Sequence, residues 1–271
     1  MATLVVVRGT WDTFGIDGML GGIVRNLDTS DPTKWNIHYL DYPADFGTKL
    51  SYRESREIGI DRLIEFLLNG IDSSEEIFVL GYSQGAAVVT LALKTMLHAG
   101  SSVDAEILGR IKGVYLIANP HRQPDHWVGR DPGRGTRGIA FGSQNEGWWG
   151  EFKFKVFEFC EQGDIIGSVD PNTTLLHRFV YYIEDASVTN AIGWAVSIRE
   201  QLRTVNPFAL FPEIRKAIGV LEYTRRWWNS LSQVSNYLVS GVHVDYGHMK
   251  LPSGQYVFQY IAKGMESELK V

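Results

Sequence analysis

Gly81-Tyr82-Ser83-Gln84-Gly85 is the stretch whose residue types and spacing most directly promise chemistry. It follows the apolar run Ile77-Phe78-Val79-Leu80 and leads into residues 86–98, which are apolar at helical spacing. A serine between two glycines, at a turn from strand to helix, has the form of a nucleophile elbow. The turn is so tight that side chains two residues either side of the serine would strike the adjoining strand and helix. The serine sits strained, with its hydroxyl lifted above the sheet. The helix behind it aims free amides, and a partial positive charge, at the place where an oxyanion would form. The chemistry would be acyl transfer, with Ser83 as nucleophile. The plain alternative is an ordinary βα turn, since G-x-S-x-G alone occurs by chance in many proteins.

A serine hydroxyl attacks well only when a histidine takes its proton, and that histidine needs a carboxylate to set its tautomer. In α/β-hydrolases the order along the chain is Ser, acid, His. Asp164 closes an expected strand within Cys160-Glu161-Gln162-Gly163-Asp164, at the carboxyl edge where parallel sheets form sites. An aspartate after glycine is also a common turn residue, and Asp170 stands second. The histidines beyond the acid are His177, His243 and His248. His177 precedes the apolar run Phe179-Val180-Tyr181-Tyr182 and reads as structural. His243 and His248 share one loop before an expected C-terminal helix, and spacing barely separates them. The oxyanion would take the backbone N–H of Gln84 and a donor from the loop after the first strand. There, in Arg8-Gly9-Thr10, Thr10 offers an amide and a hydroxyl, against a plain strand-to-loop turn.

These residues need a scaffold, and the chain has the material for one. It has 271 residues, 44% hydrophobic and 21% charged, which suffices for a substantial core without staples. Short apolar runs at 4–8, 35–42, 76–82, 114–118 and 153–159 read as strands buried on both faces of a mostly parallel sheet. Helical patterns lie between them, at 58–68 behind a capping box Ser51–Glu54, at 86–98 and at 255–268. The alternation implies an α/β fold of three layers, in one domain spanning 1–271. Residues 125–149 read as a long Gly-, Arg- and Trp-rich loop. Residues from about 190 to 237 read as helices only, within an insert at 186–240 that would pack on the core or cover the site. Its apolar stripe would be Ile214, Ala217, Ile218, Leu221, Trp228 and Leu231. Trp127, Trp148, Trp149, Trp227 and Trp228 are core or line an acyl-binding face.

Composition narrows the partners. A net charge of −5 argues against nucleic acid held by phosphate neutralisation. The single cysteine, Cys160, permits no intrachain disulfide. Leu4-Val5-Val6-Val7 reads as a first strand rather than part of a signal peptide, and no run is long enough for a membrane span. Synthesis in a cytoplasm is expected. The chemistry requires neither metal nor organic cofactor.

Taken together, these pieces resemble the cutinase-like branch of the α/β-hydrolases. Gly81-Tyr82-Ser83-Gln84-Gly85-Ala86 matches the G-Y-S-Q-G-A elbow of that branch. Arg8-Gly9-Thr10-Trp11-Asp12 is similar to its R-G-[ST]-x-E oxyanion segment, with Asp12 in place of Glu. Cys160-x-x-Gly163-Asp164 resembles its C-x-x-G-D loop, which implies Asp164, not Asp170, as the triad acid. Cutinases pair that cysteine with another three residues past the aspartate, where this chain has Gly167. Within the branch, Asn119-Pro120-His121-Arg122-Gln123, the helical insert and His243-x-x-Tyr246 look like the lysin B family. Those proteins are phage-encoded mycolylarabinogalactan esterases. That resemblance implies His243 as general base and a substrate joining mycolic acids to arabinogalactan. It also implies synthesis in the host cytoplasm without a signal peptide and action on the envelope during lysis. The rival readings are a cutinase-like lipase or phospholipase on other acyl esters, and a catalytically silent lipid-binding or virion protein.

Overall fold

The computed structural model spans residues 1–271 and is described here for all but 143–145, 148, 184–198, 201–202, 204–205, 207–209 and 270–271. Five strands form one sheet, β1 (Ala2–Val7), β2 (Trp35–Tyr39), β3 (Glu76–Tyr82), β4 (Ile111–Ile117) and β5 (Val156–Phe159). Their order is β2-β1-β3-β4-β5, and every neighbouring pair is parallel. The unbroken apolar runs are explained by burial on both faces. Leu4 and Val6 of β1, with Phe78 and Leu80 of β3, enter one apolar cluster, while Val5, Val7, Ile77 and Val79 enter the other.

Helices cover both faces. On the first lie α1 (Gly21–Val24) and α8 (Val257–Glu268), which contributes Phe258, Ile261 and Met265. On the second lie α2 (Tyr52–Asn69), α3 (Gln84–Ala99) and α4 (Ser102–Arg110), with Leu63, Val89, Leu93 and Ile107. Each fully buried Leu, Ile or Val side chain contributes roughly 1.5–3 kcal/mol, so the two layers hold the sheet in place beneath the site. The Ser51 capping box is formed, for Glu54 N donates to Ser51 Oγ at 3.2 Å and Ser51 N to Glu54 Oε2 at 2.8 Å. The same chemistry starts α4, which the sequence reading omitted. There Ser101 Oγ accepts from Asp104 N at 3.0 Å.

Some boundaries differ from expectation. Residues 153–155 are not strand but the end of a 3₁₀ turn, Gly150–Lys155. Phe154 there is 76% exposed, and Lys155 Nζ reaches back to the carbonyls of Leu108 and Gly109. β2 ends at Tyr39, although Leu40 N still bonds Val6 O.

A third apolar cluster lies apart from both sheet faces. Phe46, Ile139, Ile165, Val169 and residues of α5 (Leu176–Ile183) meet α7 (Val220–Ser240), just after α6 (Pro212–Ile218). The expected stripe is corrected here. Ile214, Ile218 and Leu231 do pack against the cluster, but Leu221 and Trp228 are 86% and 62% exposed, and Ala217 is exposed too. The buried face of α7 is Tyr223, Trp227, Ser230 and Val234. A polar residue belongs to it because Ser230 Oγ accepts from Leu175 N at 2.8 Å, so apolar pattern alone finds only part of the buried face. The earlier part of the 186–240 insert lies mostly outside the described residues.

Candidate active site

The site stands at the carboxyl ends of β1, β3, β4 and β5, where parallel sheets offer a crevice. Ser83 follows β3 directly and has φ 53° and ψ −117°, a conformation that L residues rarely adopt. The flanking glycines are required by space. A Cβ on Gly85 would stand 2.1 Å from the carbonyl oxygen of Val7 and 2.4 Å from that of Arg8, and one on Gly81 would stand 2.8 Å from Ala86 Cα. Ser83 N donates to Ile117 O at 2.9 Å, which pins the turn to β4. Gln84 opens α3, and its amide precedes the first intrahelical bond, Ala87 N to Ser83 O.

Ser83 Oγ lies 2.9 Å from Nε2 of His243. Nδ1 of the same ring lies 2.9 Å from Asp164 Oδ2 and 3.1 Å from Oδ1. Burial raises the pKa of Asp164, but the charge of His243 and hydrogen bonds from His243, Tyr246 and Ile166 outweigh it and hold the carboxyl below its ordinary value. An ionised carboxylate can only accept. It therefore selects the tautomer with the proton on Nδ1 and leaves Nε2 free to accept from the serine.

Asp164 and His243 are themselves held in place. Tyr246 OH donates to Asp164 Oδ2 at 2.7 Å, Ile166 N donates to Oδ1 at 3.0 Å, and Glu161 N donates to Tyr246 OH at 3.2 Å. Burial and the Asp164 charge push the Tyr246 phenol well up, so it remains a donor. Tyr82 OH donates to the His243 carbonyl at 2.8 Å, and the rings of Tyr82 and Tyr237 stand 5.2 Å and 5.8 Å from the imidazole.

The remaining candidates lie elsewhere. The side chain of His248 is 85% exposed and paired with Asp245 at 2.7 Å. Asp170 caps a turn by accepting from Asn172 N at 2.8 Å. His177 belongs to α5, where burial and the nearby Arg178, Arg137 and Arg226 lower it to about 4. Asp12 ties down its own loop by accepting from Thr13 N and Met19 N, and burial raises its pKa despite those bonds.

Above Ser83 opens a groove lined by Thr10, Phe46, Tyr52, Tyr82, Pro120, Ile139, Ala140, Ile166, Val180, Tyr237, His243 and Val244. The acyl-face expectation is therefore corrected in its residues. Trp127, Trp149, Trp227 and Trp228 do not line this groove. Trp149 is buried beside Phe152, Trp227 packs on Phe179, and Trp228 faces outward. Trp148 lies outside the described residues.

Sequence reasoning missed Asp45, whose carboxylate accepts from the amides of Phe46, Thr48, Lys49 and Leu50 and from the Trp11 indole. Burial opposes its charge, but these donors hold it well below the ordinary carboxylate value. The loop bearing Phe46 is thereby fixed against the groove, and Gln84 Nε2 joins in by donating to Asp45 O at 3.0 Å. The role of Tyr246 was also missed, although the spacing His243-x-x-Tyr246 was visible. Nearby, Asn119 donates to Thr90 Oγ1 and to the buried Glu158, which burial raises to about 8 against the pull of Arg122 and Asn119.

The Cutinase family model matches residues 1–198 of this chain. The chain belongs to the cutinase family. A cutinase from Kineococcus radiotolerans is 29% identical over 204 residues, which cover 72% of this chain and 60% of that protein's length. Among solved structures, lysin B from mycobacteriophage D29 is similar over 98% of both chains, with a TM-score of 0.54 and 19% identity. An acetyl xylan esterase, solved as an iodinated complex, covers 88% of this chain and 98% of its own, with a TM-score of 0.51 and 18% identity. At such identities the likeness concerns the fold, a cutinase-like α/β-hydrolase. It matters for this family member because His243 and α8 lie beyond the matched residues 1–198.

Proposed function

We propose that this cutinase-family chain is a serine esterase in which Ser83 attacks, His243 carries the proton and Asp164 orients the histidine. The observation that carries this reading is the unbroken hydrogen-bonded chain from Ser83 Oγ through His243 to Asp164, opening under an apolar groove. His243 Nε2 takes the hydroxyl proton as Oγ bonds the ester carbonyl carbon. The tetrahedral oxyanion takes its hydrogen bonds from the Gln84 amide and from Thr10, worth about 2.7–4 kcal/mol per donor in transition-state stabilisation. His243 returns the proton to the departing alcohol, and a water then releases the acid from Ser83 by the same steps in reverse.

The substrate is the ester between mycolic acids and arabinogalactan, and the protein aids phage-mediated lysis by reaching the envelope from the host cytoplasm. The fold-level likeness to lysin B and the apolar groove favour this choice. The chain forms one domain, with the 186–240 insert as a cap, and among its described residues Tyr237 reaches the groove. The test is release of mycolic acid from purified mycolylarabinogalactan by the wild type beside Ser83→Ala. Release by the wild type alone supports both the site and the substrate. Hydrolysis restricted to short esters or phospholipids keeps the serine chemistry and assigns the protein to ordinary acyl esters instead. No hydrolysis of any p-nitrophenyl ester overturns the enzyme reading.

A further inference from the structure

The loop that carries Asp164 lacks a covalent brace, and its geometry shows what stands in for one. Gly167 lies three residues past the aspartate. A Cβ built on it would meet Cys160 Sγ at 2.8 Å, while Ala118 comes no nearer than 3.4 Å. One sulfur of a disulfide lies about 3 Å from the partner's Cβ, so the backbone already has the spacing of a bridge that this sequence cannot make.

At that point enters Arg122, whose side chain is fully buried. Its Nε donates to the carbonyl of Gly167 at 2.7 Å. Its Nη2 donates to Thr136 Oγ1 at 2.8 Å, and its Nη1 to the carbonyls of Gln123 and His126 at 3.2 Å and 3.3 Å. A buried cation is costly to keep, and these bonds go to neutral oxygens rather than to a carboxylate. The planar fork of an arginine serves several fixed acceptors at once, as a lysine ammonium cannot.

The acceptor at Gly167 is close to the chemistry. Ser168 N donates to the Asp164 carbonyl at 2.7 Å, and Ile166 N donates to the Asp164 carboxylate. A shift of the Gly167 peptide is therefore a shift of the turn on which the carboxylate rests. The long 125–149 loop takes part as well, since Arg137 and Val169 exchange backbone bonds and Ile139 N donates to Ile166 O at 2.9 Å.

We propose that Arg122 is a positioning residue for Asp164, its guanidinium holding the acid loop through the Gly167 carbonyl where a disulfide to Cys160 would otherwise brace it. This rests on the reading of Asp164 as the triad acid.

The test uses the full chain and a short p-nitrophenyl ester, with folding followed by circular dichroism. Arg122→Lys keeps the charge and loses the fork, and kcat should fall on the order of 10- to 100-fold, the scale of a small misplacement, with KM almost unchanged. Gly167→Cys added to that variant should restore most of the lost kcat when treated with oxidised glutathione. There the two thiols give two electrons and two protons to one glutathione disulfide. The products are a bond between Cys160 and the introduced cysteine and two reduced glutathiones. Dithiothreitol should remove the gain. If Arg122→Lys does not fold, Thr136→Val, which removes one acceptor, is carried through the same cycle.

A folded variant with wild-type kcat, or a disulfide confirmed by mass that leaves kcat depressed, overturns the proposal. The Ser83→Ala control separates the two levels. If it is inert while Arg122→Lys is fully active, only the role of Arg122 falls. If it stays active, the triad reading falls and this proposal with it.

Discussion

At the serine end of the Ser83–His243–Asp164 chain, position is set within five residues. Two glycines admit a turn that no other side chain fits, the strained φ of Ser83 follows, and α3 begins at the next residue. At the aspartate end the local bonds, from Ile166 N and Ser168 N, are joined by distant ones. Asp164 is held by Tyr246 from 82 residues away, and its loop by Arg122 across 45 residues to Gly167. The first arrangement depends on excluded volume, the second on buried hydrogen bonds, and the two should therefore fail differently.

The largest effect is expected at the two groups proposed to exchange the proton. Ser83→Ala and His243→Ala should each lower kcat by roughly a millionfold, as when a member of such a unit is removed, while His248→Ala should keep most of its activity because that side chain faces solvent. Hydrolysis of a p-nitrophenyl ester measures this, and the opposite ranking of the two histidines would break the assignment at the aspartate end.

Next comes a pH effect beneath the acid loop. Glu158 is raised to about 8 from an ordinary 4.5, chiefly by burial. Its folded-state pKa is above the unfolded value, so its contribution to stability is complete below about 4.5 and is lost as pH rises toward about 8. Glu158→Gln removes that dependence. Relative to the wild type it should gain on the order of 3–5 kcal/mol between those limits, read from denaturant midpoints across the pH range. A constant difference would mean that Glu158 is already ionised in the fold.

A test of excluded volume at the serine end is Gly85→Ala. The added Cβ meets main-chain oxygens that cannot rotate away, so stability should fall by about 3 kcal/mol or more and esterase activity with it. Normal stability and activity would show that the elbow can relax, which would weaken the contrast with the acid loop.

Smallest is Tyr246→Phe, which deletes one donor to Asp164 and keeps the ring. We expect a loss of roughly 1.5–3 kcal/mol, the worth of a hydrogen bond to a charged group. The pKa of Asp164 is depressed in the fold, so the stability it lends is present above the ordinary carboxylate range and lost below it. The stability difference between Tyr246→Phe and wild type should accordingly narrow in acid, as unfolding curves at pH 7 and pH 3 would reveal. A gap that does not change with pH would point to packing of the ring instead.

This contrast also explains what was legible. The elbow, the first and third strands, α3 and the capping box of α2 are written in short patterns whose physics is nearly complete within a few residues. The buried face of α7 was not, because Ser230 belongs to it through a bond to Leu175 that only the fold provides. Residue type alone left the tryptophans between core and an acyl-binding face, and the groove is instead lined by Phe46, Ile139, Ile166 and Val180, drawn from four separate segments. Asp45 carried no signal at all, since its five donors gather only when its loop closes.

Sequence alone was enough to mark the tight turn at Ser83, for steric exclusion at Gly81 and Gly85 is a property of adjacent residues, and it narrowed the candidate acid and base to a few residues. Choosing His243 over His248 on physical grounds required the tertiary structure. Both lie in one loop, and what separates them is which ring the fold turns toward a serine 160 residues earlier. So too with Arg122, whose acceptors at Gly167 and Thr136 lie 45 and 14 residues away and give no hint of one another until the fold brings their loops together.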